Sequence, residues 1–411
     1  MTRTGRRRSR ERPTRAEAPR HEPAPAHLPA LDGVRGVAAL LVMLHHFALD
    51  PAVTTPAALR LVQPLRLAWC GVDLFFVLSG FLITRILLAA RGGPGYYRRF
   101  LVRRALRIFP LYYATLLGVL VVAPALLPGV SAAPMNAHQH WLWLYLTNVG
   151  SVLRGTGVFT NAHVDVNHFW SLAIEEQFYL VWPAVVALGG ARWLPRVCAV
   201  GLVAGLATRL ALLQGDVSSQ ALYTLTPCRL DGLLLGALMA AAMVRVDGPR
   251  VLHRAAPWAL AGGFAGVAWI VARHGPAFWT RSMMGAGYTL LAVFFAGLVG
   301  HVVTRPDALP ARAMAHPALV AVGARSYGLY VLHRVGVVRA VVPLEPLAMG
   351  RALLGPGAAA SSAEPVGLGI FVALSVAVSF VAAEISLRVL ERPFLRLKDT
   401  LATPPSQPRD A

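Results

Sequence analysis

An all-α, polytopic integral membrane protein with about ten transmembrane helices is the fold class that the sequence predicts. Of the 411 residues, 56% are hydrophobic, and the mean hydropathy is +0.56. Apolar runs of about eighteen residues or more recur, each long enough to cross a hydrocarbon core as a helix. Arginines punctuate these runs instead of gathering on one arm. The net charge of +20 is therefore read as topology charge, and no nucleic-acid partner is expected.

Taken in order, residues 1–30 are rich in Arg, Pro, Glu and Ala without apolar periodicity and read as a disordered cytoplasmic tail. Arg6, Arg7 and Arg8 have the look of a twin-arginine signal. The first apolar stretch starts well downstream and carries Asp32 and Arg35, so no cleaved signal peptide is expected. Spans are expected at residues 31–48, 68–90, 106–128, 167–189, 197–214, 227–244, 255–273, 283–303, 317–338 and 365–388. They lie in one membrane domain, residues 31–393, followed by a second cytoplasmic tail, residues 394–411. Counting alternately from a cytoplasmic N-terminus places Arg91–Arg107, Arg192–Arg196, Arg245–Arg254, Arg305–Arg312 and the C-terminus inside. Each carries at least two arginines, as the positive-inside rule requires of a plasma-membrane protein. Residues 141–151, WLWLYLTNVGS, are apolar but shorter than a span and read as an interfacial or re-entrant piece. Cys70, Cys198 and Cys228 show no CxxC spacing, which argues against a disulfide framework and a structural zinc site.

The first span, LDGVRGVAALLVMLHHF, carries Asp32, Arg35, His45 and His46. Ionisable groups inside a span are costly and usually face a protein interior or a water-filled cavity. Arg35 and His46 return to within ~20° of one helical face, about 16 Å apart along the axis, while His45 points ~80° away. The alternative reading of this helix is a satisfied core histidine with Arg35 reaching to the headgroups.

Arg35, ten intervening residues and His46 resemble the signature of the acyltransferase 3 family, membrane enzymes that move acyl groups from acyl-CoA onto hydroxyls. Four further stretches are similar to that family: GVDLFFVLSGFLIT from Gly71, RRALRIFP from Arg103, HFWSLAIEEQFYLVWP from His168 and TPCRLDGLLLGALMA from Thr226. The resemblance implies carbohydrate acceptors, with macrolides as a narrower option, and acyl-CoA, acetyl-CoA first, as a cosubstrate with no permanently bound cofactor. Some members carry a fused extracytoplasmic esterase-like domain, for which no room is expected after Pro393.

Arg104 and Arg107, at i and i+3 before the Ile-Phe-Pro turn, match family arginines and suit the phosphates of coenzyme A, since guanidinium pairs bidentately with phosphate. Arg98 and Arg99 fit topology charge better. In the fourth span Glu175 returns to within ~20° of His168, two turns below, so both can face one cavity while Glu176 turns away; His168 and Glu176 are candidate cavity-lining or substrate-binding residues. The family match makes Glu175 a site residue that orients a histidine or holds the acceptor; Glu176 is read as a neutraliser of neighbouring arginines. Asp73 and Ser79 each need an internal partner, for packing or for a cavity. No GxSxG elbow surrounds Ser79, so a serine-hydrolase mechanism is not supported. Arg229 and Asp231 point to nearly opposite faces, and each is expected to find its partner on another helix or to line the cavity. In the ninth span Ser326 and His333 share a face with Tyr330 nearby; a cavity-lining role is open to them, and interfacial anchoring is the slightly preferred role of His333. Glu384 and Arg388 read as an i, i+4 ion pair. His138, His140, His163 and His168 lack an HExxH or CxxC frame, so no metal is expected. Gly92, Gly93 and Gly95 lack the spacing and lysine of a P-loop.

The function these readings carry is a membrane O-acyltransferase in which His46 is the general base, with Arg35 and Glu175 at the same site. Direct transfer and an acyl-His46 relay both remain open. The competing class is a transporter or permease that uses the buried charges as a solute pathway. Membrane lipids are the expected surroundings, and the oligomeric state is not legible.

Overall fold

The computed structural model describes residues 28–50, 56–126, 136–155, 159–160, 164–335 and 345–400. Most of the expected N-terminal tail, residues 401–411 and His163 lie outside the described residues. Those described are helices and their connections; the sole extended pairing among them is an isolated bridge between Thr160 and Asp165. The protein is all-α and polytopic, as expected.

The elements that build the bundle are α1 (Pro29–Ala48), α2 (Gly71–Ala90), α3 (Tyr96–Leu117), α4 (Trp170–Leu212), α5 (Asp231–Met243), α6 (Gly248–His274), α7 (Tyr288–Thr304), α8 (Pro317–Ala324), α9 (Ser326–Leu332) and α10 (Ala360–Ser386). Among the described residues, seven helical stretches are long and apolar enough to cross a membrane: Pro29–Ala48, Gln63–Ala90, Tyr96–Leu126, Asn167–Leu212, Gly248–His274, Met283–Thr304 and Ala360–Leu397. The ten expected spans differ from these seven in three places. The fourth and fifth share α4, which breaks at Gly190 (φ 53°, ψ −176°), a left-handed conformation that glycine adopts readily. There Arg91 donates to the Ala187 carbonyl at 3.1 and 3.2 Å. The sixth corresponds to the 13-residue α5, which reaches only about 20 Å. The ninth is divided at Arg325 into α8 and α9.

Two other boundaries follow from local chemistry. α3 starts at Tyr96, after Gly95 at φ 63°, because the arginine-rich stretch before the third span is itself helical. Residues 141–151 fall in two short helices, Gln139–Trp143 and Thr147–Arg154, joined through Tyr145 at φ 53°. Neither is long enough to cross.

Large apolar side chains point outward from the peripheral helices, with Trp258 80%, Phe264 63% and Trp269 61% exposed on α6. In water such a face is unfavourable; against acyl chains it is the expected exterior. Inside, the helices approach through small residues, which is how spans pack when lipid removes the hydrophobic drive between them. A Cβ on Gly80 of α2 would lie 2.0 Å from the Leu233 carbonyl oxygen of α5, and one on Gly236 of α5 would lie 2.1 Å from that of Val77. On α1, Gly33 and Gly36 meet the Met314 and Leu319 carbonyls in the same way. Gly80→Ala is therefore expected to lower the thermal midpoint in detergent. Gly262→Ala, where a Cβ meets nothing within 4 Å, is expected to leave it unchanged. Equal midpoints for the two variants would contradict this account of the α2–α5 crossing.

Candidate active site

His45 and His46 sit side by side in sequence and face apart, as the 100° step between neighbouring helical residues requires. His45 Nδ1 lies 3.1 Å from the Leu65 carbonyl oxygen. His46 Nδ1 lies 2.9 Å from Nε2 of His333, 287 residues downstream, just after α9. His168, in the single turn just before α4, completes the group. Its Nε2 is 3.0 Å from the Tyr330 carbonyl oxygen, the same oxygen that His333 Nδ1 approaches to 2.9 Å. Ring centroids are 5.0 Å apart for His46 and His333, 4.8 Å for His168 and His333, and 6.2 Å for His46 and His168. The Tyr330 hydroxyl binds the Ser171 hydroxyl and donates to the His168 carbonyl at 3.0 Å, which ties α9 to the start of α4. His333 is 1% and His168 5% exposed, while His46 is half-buried.

This corrects the expectation for His333. It is not an interfacial anchor but the direct partner of His46. Positions within one helix say which residues share a face, not which distant helix that face meets.

At the other end of α1, Arg35 Nη1 pairs with Asp32 Oδ1 at 2.9 Å and keeps 29% of its side chain exposed. On α3, Arg104 lies over the rings of Phe100 (5.8 Å) and Tyr179 (5.9 Å), and Arg107 is half-buried. Arg98 and Arg99 are exposed, in line with topology charge. The Tyr179 hydroxyl donates to Ser79 Oγ at 3.2 Å, and Ser79 donates to Glu175 Oε1 at 2.5 Å. So Glu175 and Ser79, read separately in the sequence, meet each other, and the side-chain partner of His46 is His333. Glu176 is half-buried, and its Oε1 has no hydrogen-bond partner among the described residues.

Arg229 and Asp231 do find partners on other helices. Arg229 Nη2 binds Asp73 Oδ1 at 2.8 Å, with Tyr288 and Tyr223 ring centroids 4.1 and 4.9 Å from the guanidinium. Asp231 accepts from Arg209 at 2.5 and 3.2 Å and from Thr289 at 2.7 Å. All four charged residues are 4% exposed or less. Cavity-lining was one of two roles open for Asp73, Arg229 and Asp231; the Arg209–Asp231 pair favours the structural one for Asp231, whereas Asp73 Oδ2 and Arg229 Nε and Nη1 have no hydrogen-bond partner among the described residues. Arg209 went unrecognised in the sequence, though a lone arginine within LATRLALL is the signal that could have found it. Among the described residues, no set of three His, Cys, Asp or Glu side chains is placed to hold a metal ion.

A family described as an acyltransferase domain, the acyltransferase 3 type, matches residues 28–384. Two Staphylococcus aureus proteins, of strains COL and MSSA476, each provisionally named an O-acetyltransferase, are 27% identical to this chain over 325 residues, 75% of the chain and 50% of the relative. The O-acetyltransferase OatA of S. aureus strain NCTC 8325 is 31% identical over 235 residues, 53% of this chain and 35% of OatA. The chain thus aligns with half or less of the length of these relatives. No solved structure matches it significantly.

Proposed function

Because this chain belongs to the acyltransferase 3 family, we propose that it is an integral membrane O-acyltransferase that uses acyl-CoA, acetyl-CoA first, to acylate a hydroxyl of a carbohydrate or a glycosylated metabolite such as a macrolide. The observation that carries this reading is the histidine group. Of three clustered imidazoles, two are buried, and His46 alone keeps access from outside the core. An imidazole of that kind is suited to general base catalysis near neutral pH. His46 takes the proton of the acceptor hydroxyl, and the oxygen attacks the thioester carbonyl. The carbon–sulfur bond then breaks, and the proton passes from His46 to the departing thiolate to give an ester and free CoA. Arg35, Arg104 and Arg107 are the cations suited to the CoA phosphates. The O-acetyltransferase names of the relatives favour acetyl as the group moved.

Purified protein in liposomes, given acetyl-CoA and a hydroxyl acceptor, is expected to release CoA thiol and form an ester. Solute flux without thiol release would overturn the enzyme in favour of a permease. The orientation belongs to the same reading: plasma membrane, both termini and the Arg91–Arg107 segment cytoplasmic. A membrane-impermeant thiol reagent applied outside is expected to label a cysteine placed at Ser218 and to miss one placed in that segment; the opposite pattern would invert the topology.

A further inference from the structure

We propose that His333 is a positioning residue for His46, and that one backbone carbonyl, that of Tyr330, fixes the tautomers of the whole histidine group. A carbonyl oxygen only accepts. His333 Nδ1, 2.9 Å from the Tyr330 oxygen and 3.2 Å from that of Leu329, therefore carries the proton. A neutral imidazole has one N–H, so His333 Nε2 holds a lone pair. His46 Nδ1, 2.9 Å from that lone pair, must donate to it. The proton of His46 is thereby placed on Nδ1, and its Nε2 is left bare. The same logic at His168 puts its proton on Nε2, which meets the Tyr330 oxygen at 3.0 Å. His168 Nδ1 is left as a buried lone pair with no partner among the described residues.

The chain Tyr330 carbonyl, His333, His46 has a direct chemical consequence. A base must present a lone pair, and without a fixed partner an imidazole divides its proton between two nitrogens. Here His46 Nδ1–H is held throughout. When Nε2 takes the hydroxyl proton, the resulting imidazolium keeps its bond to the neutral His333 acceptor. His333 thus does with an imidazole what a carboxylate does in other base–orienter pairs. Glu175 makes no hydrogen bond to His46 among the described residues; its Oε1 accepts from Ser79.

The catalytic half of this inference rests on His46 being the general base; the tautomer assignment does not. The test is therefore spectroscopic first. In the full chain, labelled with ring-15N histidine and reconstituted in lipid nanodiscs, His46 is expected to show a protonated Nδ1 and a bare Nε2, assigned by the signals lost in His46→Gln. In His333→Leu the two tautomers of His46 are expected to mix. In His333→Gln, whose Oε1 can stand near the Nε2 position and accept, the wild-type pattern is expected to return. Kinetically, His333→Leu should lower kcat by up to ~10²-fold to 10⁴-fold with KM for acetyl-CoA held, and His333→Gln should recover most of the loss. A protonated Nε2 on His46 in the wild type overturns the proposal. So does a His333→Leu protein whose spectrum and kcat match the wild type. If His333→Leu does not fold, the wild-type and His333→Gln spectra still decide. The expected tautomer together with a fully active His46→Ala would sink the base assignment alone.

Discussion

Replacing His46 by alanine is expected to remove turnover, lowering kcat by ~10²-fold to 10⁴-fold while leaving acetyl-CoA affinity nearly unchanged. The reason is that a general base contributes proton transfer in the transition state and no ground-state contact with the CoA moiety. Thiol release in the presence of a hydroxyl acceptor reads kcat, and calorimetric titration of acetyl-CoA reads affinity. His45→Ala is the internal control. Its Nδ1 is engaged with the Leu65 carbonyl, and it faces away from the His46–His333 pair. An inactive His45→Ala beside a fully active His46→Ala, at equal expression, would reverse the assignment of faces and the catalytic role built on it. Arg35→Ala is expected to raise KM for acetyl-CoA more than it lowers kcat, because its cation suits a binding contact and not a proton transfer.

The second large effect lies away from the chemistry. Asp231→Ala is expected to destabilise the protein by ~3–5 kcal/mol, the usual consequence of leaving one charge of a buried pair uncompensated. Arg209 is fully buried, and loss of the carboxylate would leave it the Cys228 and Gly285 carbonyls and Thr289. Thermal unfolding in detergent measures the loss. The double variant Arg209→Met with Asp231→Leu removes both charges and is expected to recover most of the stability. If the double variant unfolds as early as the single one, the cost comes from packing and not from the stranded charge.

Much of this protein was legible because its information is local. A run of apolar residues declares a membrane helix wherever it sits, since no water is available to satisfy an open backbone. The Arg35 and His46 face, the divergence of His45 and the Glu384–Arg388 pair, seen at 2.5 Å, all follow from the 3.6-residue turn. That Arg229 and Asp231 would each need a partner elsewhere followed from the cost of a lone charge in an apolar medium. The expected count of ten spans was less secure, because hydropathy does not register the break at Gly190, the shortness of α5 or the division at Arg325.

What the tertiary structure alone decided is which faces meet. The sequence put His46 on a polar face but left His333, 287 residues away, between an anchor and a cavity-lining residue with no named partner. Gly36 and Gly323 let the backbones of α1 and α8 touch, and that approach helps bring α9 and His333 alongside His46. The meeting of Ser79 with Glu175 and of Arg209 with Asp231 was decided in the same way. Helix periodicity is written in each segment, whereas the approach of two helices depends on how all of them pack together, so the spans could be read from the sequence and the His46–His333 contact could not.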